Sequence, residues 1–205
     1  MTNESERKYT DRVGEALKYA ADAHNRQTRK GKVEPYLSHI LAVAALVAHY
    51  GGDEDQIIAG VLHDVVEDQG GEPIAVEIGE RFGTEVEQIV RDCSDSFTTD
   101  PDEKLPWQAR KNKFLNQIAD DGPGPASLVE ACDKLANLRD IVEDLEAAGG
   151  VEALDRFNGG CDGTIWYYKQ IGEILLPQVE NDRLRRAYRR ELREFNSWCS
   201  ATGIG

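Results

Sequence analysis

Residues 61–68 read VLHDVVED, which sets one imidazole, His63, and three carboxylates, Asp64, Glu67 and Asp68, within two turns. At helical spacing His63 and Glu67 stand one above the other, as do Asp64 and Asp68, while Val61, Leu62, Val65 and Val66 supply the apolar side. Acids this dense beside a buried face repel one another, and a bound cation relieves the repulsion. An adjacent His-Asp pair can ligate one metal ion through an imidazole nitrogen and a carboxylate oxygen, but a tight site needs ligands from other segments. Two candidates are His39, in the apolar stretch LSHILAVAALVAHY, and Asp133, which interrupts the apolar face of LVEACDKLANL.

Each candidate also has an ordinary reading. A histidine on an apolar helix is often a hydrogen-bonded core residue. Asp133 could turn inward to pair with Lys134 or Arg139, although a buried aspartate with no partner is expensive, so the residues carry more weight together than singly. Glu67 and Asp68 could be no more than the polar last turn of a helix, but acids there oppose the helix dipole. His24 suits a helix end or a supporting contact, and His49 a helix end.

The elements that must position these groups are helices. Residues 11–25 and 37–50 carry apolar positions at helical spacing, the second stopping at Gly51-Gly52. Asp53 with Gln56 forms a capping-box signature for a helix over 54–68 that ends at Gly70-Gly71. Pro73 opens a short helix to Phe82, Thr84 with Glu87 repeats the box for 85–93, and TTDPDEKLPW (98–107) reads as an acidic loop. A helix over 108–119 precedes the break DDGPGP. Ser127 and Glu130 then cap a long helix to Gly149-Gly150, and two more helices lie near 162–176 and 178–198. There is no alternating strand pattern and no internal repeat. The expected architecture is all-α, a multi-helix single domain over 1–205 with its core at about 13–176 and a C-terminal helix in 177–205 packed on it.

Composition narrows the function. The 205 residues hold 24 Lys+Arg against 38 Asp+Glu, a net charge of −14, which argues against nucleic acid or an anionic membrane as a partner. An anionic substrate would need a local basic pocket or a metal. The longest apolar run, ILAVAALVA at 40–48, is too short to span a bilayer, and MTNESERKYT has no apolar targeting segment, so a cytoplasmic location is expected. Cys93, Cys132, Cys161 and Cys199 form no CxxC pair, and buried reduced thiols are expected. NRQTRKGK (25–32) gathers Arg26, Arg29, Lys30 and Lys32 just before His39, as a solvated loop or as an anion contact.

The order His39, His63-Asp64, Asp133 resembles the H…HD…D pattern of the HD-domain metal-dependent phosphohydrolases. YLSHILAVAALV, GVLHDVVED and CDKLANLRD resemble the hydrolase domain of the RelA/SpoT group, especially its small free-standing alarmone hydrolases, over about residues 13–176. The resemblance implies that His39, His63, Asp64 and Asp133 bind one divalent ion, usually manganese in the family. By ligand type the set suits Mn²⁺, Fe²⁺ or Zn²⁺. It implies that Glu67 and Asp68 are the catalytic pair, a carboxylate beside an acidified water being able to orient it and accept its proton. It implies that Arg29, Lys30, Asn137 and Tyr167 contact a nucleotide, with packing an alternative for Tyr167. Lys104, Arg110, Lys111 and Lys113 are either further phosphate anchors or a solvent face.

One departure is Ile40, where the family often has proline after the first metal histidine. The expected activity is removal of the 3′-diphosphate from guanosine tetra- or pentaphosphate to give GDP or GTP, without alarmone synthesis. The alternatives are action on another ribose-phosphorylated nucleotide such as NADPH, and a non-catalytic nucleotide sensor, against which the intact Glu67-Asp68 pair argues.

Overall fold

The computed structural model describes residues 9–98, 100 and 102–201. Its elements are α1 (Arg12–Ala23), α2 (Leu37–His49), α3 (Glu54–Leu62), α4 (Val65–Gln69), α5 (Glu72–Phe82), α6 (Thr84–Asp92), α7 (Trp107–Asp121), α8 (Pro125–Ala148), α9 (Gly160–Ile174) and α10 (Asp182–Ala201). Among the described residues there is no strand, only one isolated bridge between Thr28 and Pro35 within the basic loop. The all-α reading is correct. Of the loop at 98–107, residues 99 and 101 lie outside the described residues, as do 1–8 and 202–205.

The core is built around α3 and α8. The apolar run Ile57–Leu62 is buried on every side because α1, α2, α6 and α8 all pack against α3. Asp53 caps that helix as expected: its carboxylate accepts from the Gln56 backbone N–H at 2.9 Å, and Gln56 Oε1 accepts from the Asp53 N–H at 3.1 Å. Gly60 lets α3 approach α2 closely. A Cβ there would sit 3.2 Å from Val47 Cγ2 and 3.6 Å from the Ala44 Cα. Helix α8 packs against α2, α3, α6 and α10, which is why Asp133 and Lys134 are buried in mid-helix.

Several boundaries differ from the sequence reading. The helix expected over 54–68 is two helices, broken at His63-Asp64. Thr84 is not a cap; Gly83, at φ +97°, joins α5 to α6 directly. Helix α8 starts earlier than Ser127, with Pro125 in its first turn, where a missing N–H is harmless. The last helix starts at Asp182 rather than 178 because Asn181 caps it: Asn181 Oδ1 accepts from the N–H groups of Arg183 and Leu184, while Nδ2 donates to the Tyr50 carbonyl at the end of α2.

Gly60 yields a direct test. Gly60→Val should reduce the unfolding free energy by about 1–3 kcal/mol, the usual cost of overpacking, as read by urea denaturation. Unchanged stability would mean that α2 and α3 separate at no cost.

Candidate metal centre and adjoining cleft

The break after Leu62 turns the chain so that consecutive residues His63 and Asp64 both face inward rather than 100° apart around one helix. His63 Nδ1 lies 2.9 Å from the Gly60 carbonyl, a contact that assigns the proton to Nδ1 and leaves Nε2 as a ligand atom. Helix α2 contributes His39 and helix α8 contributes Asp133. His39 Nε2 is 3.5 Å from Asp64 Oδ2 and 3.1 Å from Asp133 Oδ1. His63 Nε2 is 3.0 Å from Asp64 Oδ2 and 3.6 Å from Asp133 Oδ1. Four residues from three regions of sequence thus close a ring of alternating imidazole and carboxylate.

The ring fits a metal ion. Donors held about 2.1 Å from one cation stand roughly 3.0–3.4 Å apart, close to these four separations. The donor atoms of His39, His63 and Asp64 all lie within 4.8 Å of one another, and Asp133 joins through its contacts with both imidazoles. His63 Nε2 is buried with no aligned hydrogen-bond partner despite its closeness to Asp64, as expected of a group oriented for a cation.

The surroundings hold the charges in place. Burial opposes protonation of His63, but the carboxylates of Asp64 and Asp133 outweigh it and keep the imidazolium well above the usual histidine range. Burial likewise opposes ionisation of Asp64 and Asp133; His63 beside Asp64, and the Lys134 ammonium beside Asp133, overcome it and hold both well below the usual carboxylate range. Lys134 Nζ donates to Asp133 Oδ2 at 2.5 Å, so the sequence alternative for Asp133 is realised as well: one oxygen pairs with Lys134 and the other faces the histidines. Asn137 Nδ2 donates to Asp133 Oδ1 at 2.6 Å, and the Tyr36 hydroxyl donates to Asp64 Oδ2 at 2.5 Å.

Glu67 and Asp68 lie on α4, one turn past the ring. Gln27 Nε2 donates to Asp68 Oδ2 at 2.7 Å, and Gln27 is itself held by His24 Nδ1 at 2.7 Å and Gln69 Nε2 at 3.1 Å. Burial and then Asp64 raise the Asp68 carboxyl, with Gln27 pulling the other way. Glu67 pairs with Arg110 at 3.4 Å, and Arg110 and Lys111 both bind the inward-turned side chain of Asp95, which anchors the start of α7 beside α4.

Beside the ring opens a cleft of about 260 Å³ whose lining includes Lys30, Glu67, Arg110, Lys111, Lys134, Asn137 and Tyr167. A second lobe of about 160 Å³ shares Lys30, Asn137 and Tyr168 and adds Arg29, Tyr36 and Arg156. Four cations in so small a volume, with the rings of Trp107, Phe157, Tyr167 and Tyr168, suit a phosphorylated ligand with an aromatic base. The basic loop is less free than its sequence suggests. Arg29 donates to Asn137 at 2.8 Å and Asp140 at 2.7 Å, and Lys32 pairs with Asp144 at 2.5 Å, so both tie the loop to α8. Lys30 reaches Asn158 at 2.9 Å and faces both lobes. Tyr167 is buried in the cleft wall, its hydroxyl without a hydrogen-bond partner and its ring 4.9 Å from Lys111 Nζ. The sequence reading did not single out Tyr36, Gln27, Asp95 or Trp107; Gln27 lies inside the basic loop that it did mark, and Tyr36 follows it.

The charge on Glu67 has a measurable consequence. Burial, then Asp95 and Asp64, push its carboxyl from 4.5 up to about 7 against the pull of Lys111 and Lys104. Because the folded value exceeds the unfolded one, the folded chain holds an extra proton between them, and this group's contribution to stability falls as pH rises from about 4.5 to about 7, then stays level. In metal-stripped protein, Glu67→Gln should therefore raise Tm more at pH 8 than at pH 5. Equal shifts at both pH values would refute the buried-charge account.

Known proteins bear on this arrangement. The chain is 37% identical over 130 residues to the mouse and human proteins named guanosine-3′,5′-bis(diphosphate) 3′-pyrophosphohydrolase MESH1, a match covering 62% of this chain and 68% of each relative. The Drosophila melanogaster protein of that name is 34% identical over 146 residues, covering 70% of this chain and 76% of its own. A solved structure described as a metazoan ortholog of SpoT that hydrolyzes ppGpp superposes with a TM-score of 0.70 at 28% identity, covering 90% of this chain and 96% of that one. The HD-domain family model matches residues 16–154, a span that starts in α1, takes in every residue of the ring and ends beyond α8. By that match the chain belongs to the HD-domain family.

Proposed function

We propose that this chain is a metal-dependent pyrophosphohydrolase that removes the 3′-diphosphate of guanosine tetra- or pentaphosphate, giving GDP or GTP and pyrophosphate. The observation that carries the reading is the adjacency of three things: the histidine and carboxylate ring, the Glu67-Asp68 pair one turn on, and a cation-lined cleft in a chain of net charge −14. The relatives named for this activity support it.

His39, His63, Asp64 and Asp133 would hold one divalent ion, taken as Mn²⁺ on the family resemblance. Such an ion supplies Lewis acidity toward a phosphoryl oxygen and makes a nearby water easier to deprotonate. Glu67, with a carboxyl near 7, is matched to exchanging a proton at neutral pH. It takes the proton of the attacking water as the new O–P bond forms and passes it to the ribose 3′ oxygen as the old O–P bond breaks. Asp68, fixed by Gln27, orients the water through its second hydrogen. Lys30, Arg110, Lys111 and Lys134 offset phosphate charge, while Asn137 and Tyr167 border the ribose and base. A nucleotide substrate agrees with a cytoplasmic location, and no helix among the described residues is long and apolar enough to cross a membrane.

Replacing His63 or Asp64 by alanine should abolish both bound divalent ion and turnover; stoichiometric metal in either variant, by elemental analysis, would remove these residues from the ligand set. Glu67→Gln combined with Asp68→Asn should retain metal and lose at least about a hundredfold in turnover. Across guanosine tetraphosphate, NADPH and GTP, the wild type should release pyrophosphate from the first and leave GTP nearly untouched. Orthophosphate released from NADPH, with the alarmone intact, would transfer the same site to a different substrate.

A further inference from the structure

Helices α9 and α10 pack against each other on the side of α9 that carries Tyr168 and Gly172. The Tyr188 hydroxyl of α10 donates to the Tyr168 carbonyl of α9 at 2.9 Å, the Tyr168 and Phe195 rings lie 6.3 Å apart, and a Cβ on Gly172 would touch Tyr188 and Leu192. Cys161 is on the same side of α9, two turns before Tyr168. At the far end of this face the sulfur atoms of Cys161 and Cys199 are 3.1 Å apart. They are 38 positions apart in sequence, so only the packing of the two helices brings them together.

We propose that Cys161 and Cys199 form a reversible disulfide under oxidising conditions, a modification site that joins the first turn of α9 to the last turn of α10. The bond needs the sulfurs to close from 3.1 Å to about 2.0 Å. Cys161 stands in the run GGCDG with glycine on both sides, Gly160 at φ +56°, so the backbone can absorb a shift of that size. Cys161 is half-buried and open to a small oxidant, while Cys199 is buried. Cys93 and Cys132 are both buried free thiols.

With hydrogen peroxide as oxidant the chemistry balances. The Cys161 sulfur attacks one peroxide oxygen, the O–O bond breaks, and one water leaves as Cys161 becomes a sulfenic acid. The Cys199 sulfur then attacks the Cys161 sulfur, the S–O bond breaks, and the hydroxyl leaves with the Cys199 proton as a second water. Cys161 is the more exposed of the two sulfurs and meets the oxidant first. In a reducing compartment the pair stays open. Closing the loop restricts the unfolded chain, and because the sulfurs already touch, the cleft walls need not move.

The test uses the full chain, reduced, desalted and treated with hydrogen peroxide. Thiol labelling under denaturing conditions should fall from four to two. Trypsin should release FNGGCDGTIWYYK joined to EFNSWCSATGIG, and dithiothreitol should separate them. Oxidation should raise Tm by roughly 10 °C, the scale expected of a loop this long, and Cys161→Ser should abolish the rise. Four labelled thiols after oxidation, a cross-link that appears only between chains, or a cross-linked monomer with unchanged Tm would each overturn the proposal. The same holds if Cys161→Ser still loses two labels.

Discussion

Removing charge from water is the constraint around which this fold is arranged. Two carboxylates and two imidazoles meet in the interior, where an isolated charge is prohibitively costly and only mutual contact makes the burial tolerable. The surrounding contacts follow from that need. Gly60 offers its carbonyl to His63, Tyr36 donates a hydrogen bond to Asp64, and Asn137 and Lys134 divide the two oxygens of Asp133. Lys134 would be an expensive burial itself, and Glu130, 3.1 Å away on the same helix, shares its charge. Helix α8 can therefore run through the core with three charged side chains inside it.

A second consequence is electrostatic. The chain is acidic overall, yet the cleft beside the ring collects four cations, and much of the basic loop is committed to α8 rather than to solvent. An anion meets at this opening a local excess of cations, where low-dielectric walls concentrate the attraction. Selectivity for phosphorylated ligands thus depends on where a few charges sit, and the net charge alone would have pointed away from such a ligand.

Much of this was legible in the sequence, because helix periodicity, the Asp53 cap and the order of His39, His63, Asp64 and Asp133 are local or ordered features. What was not legible depends on contacts between distant segments. The stretch 54–68 has unbroken helical spacing, and only the need to turn both His63 and Asp64 inward shows why it divides. Arg29 looks like a free cation until Asp140, 111 residues away, is seen beside it. Asp95 is one acid in a polar loop until Arg110 and Lys111 close on it. The two cysteines behave the same way: scattered in sequence, they meet only once α9 and α10 have packed.

The division of 54–68 has one more effect. His63 and Asp64 follow α3, buried on all sides over Ile57–Leu62, whereas Glu67 and Asp68 ride on α4, five residues long, anchored in the core by Val65 and Val66 and contacted by Gln27 of the loop after α1 and by Arg110 of α7. A helix that short has little stability of its own, so its position is set by whatever it touches. Within eight residues the chain separates a seat, suited to gripping an ion, from an arm, suited to exchanging a proton. Changes in the loop can retune the arm without disturbing the seat.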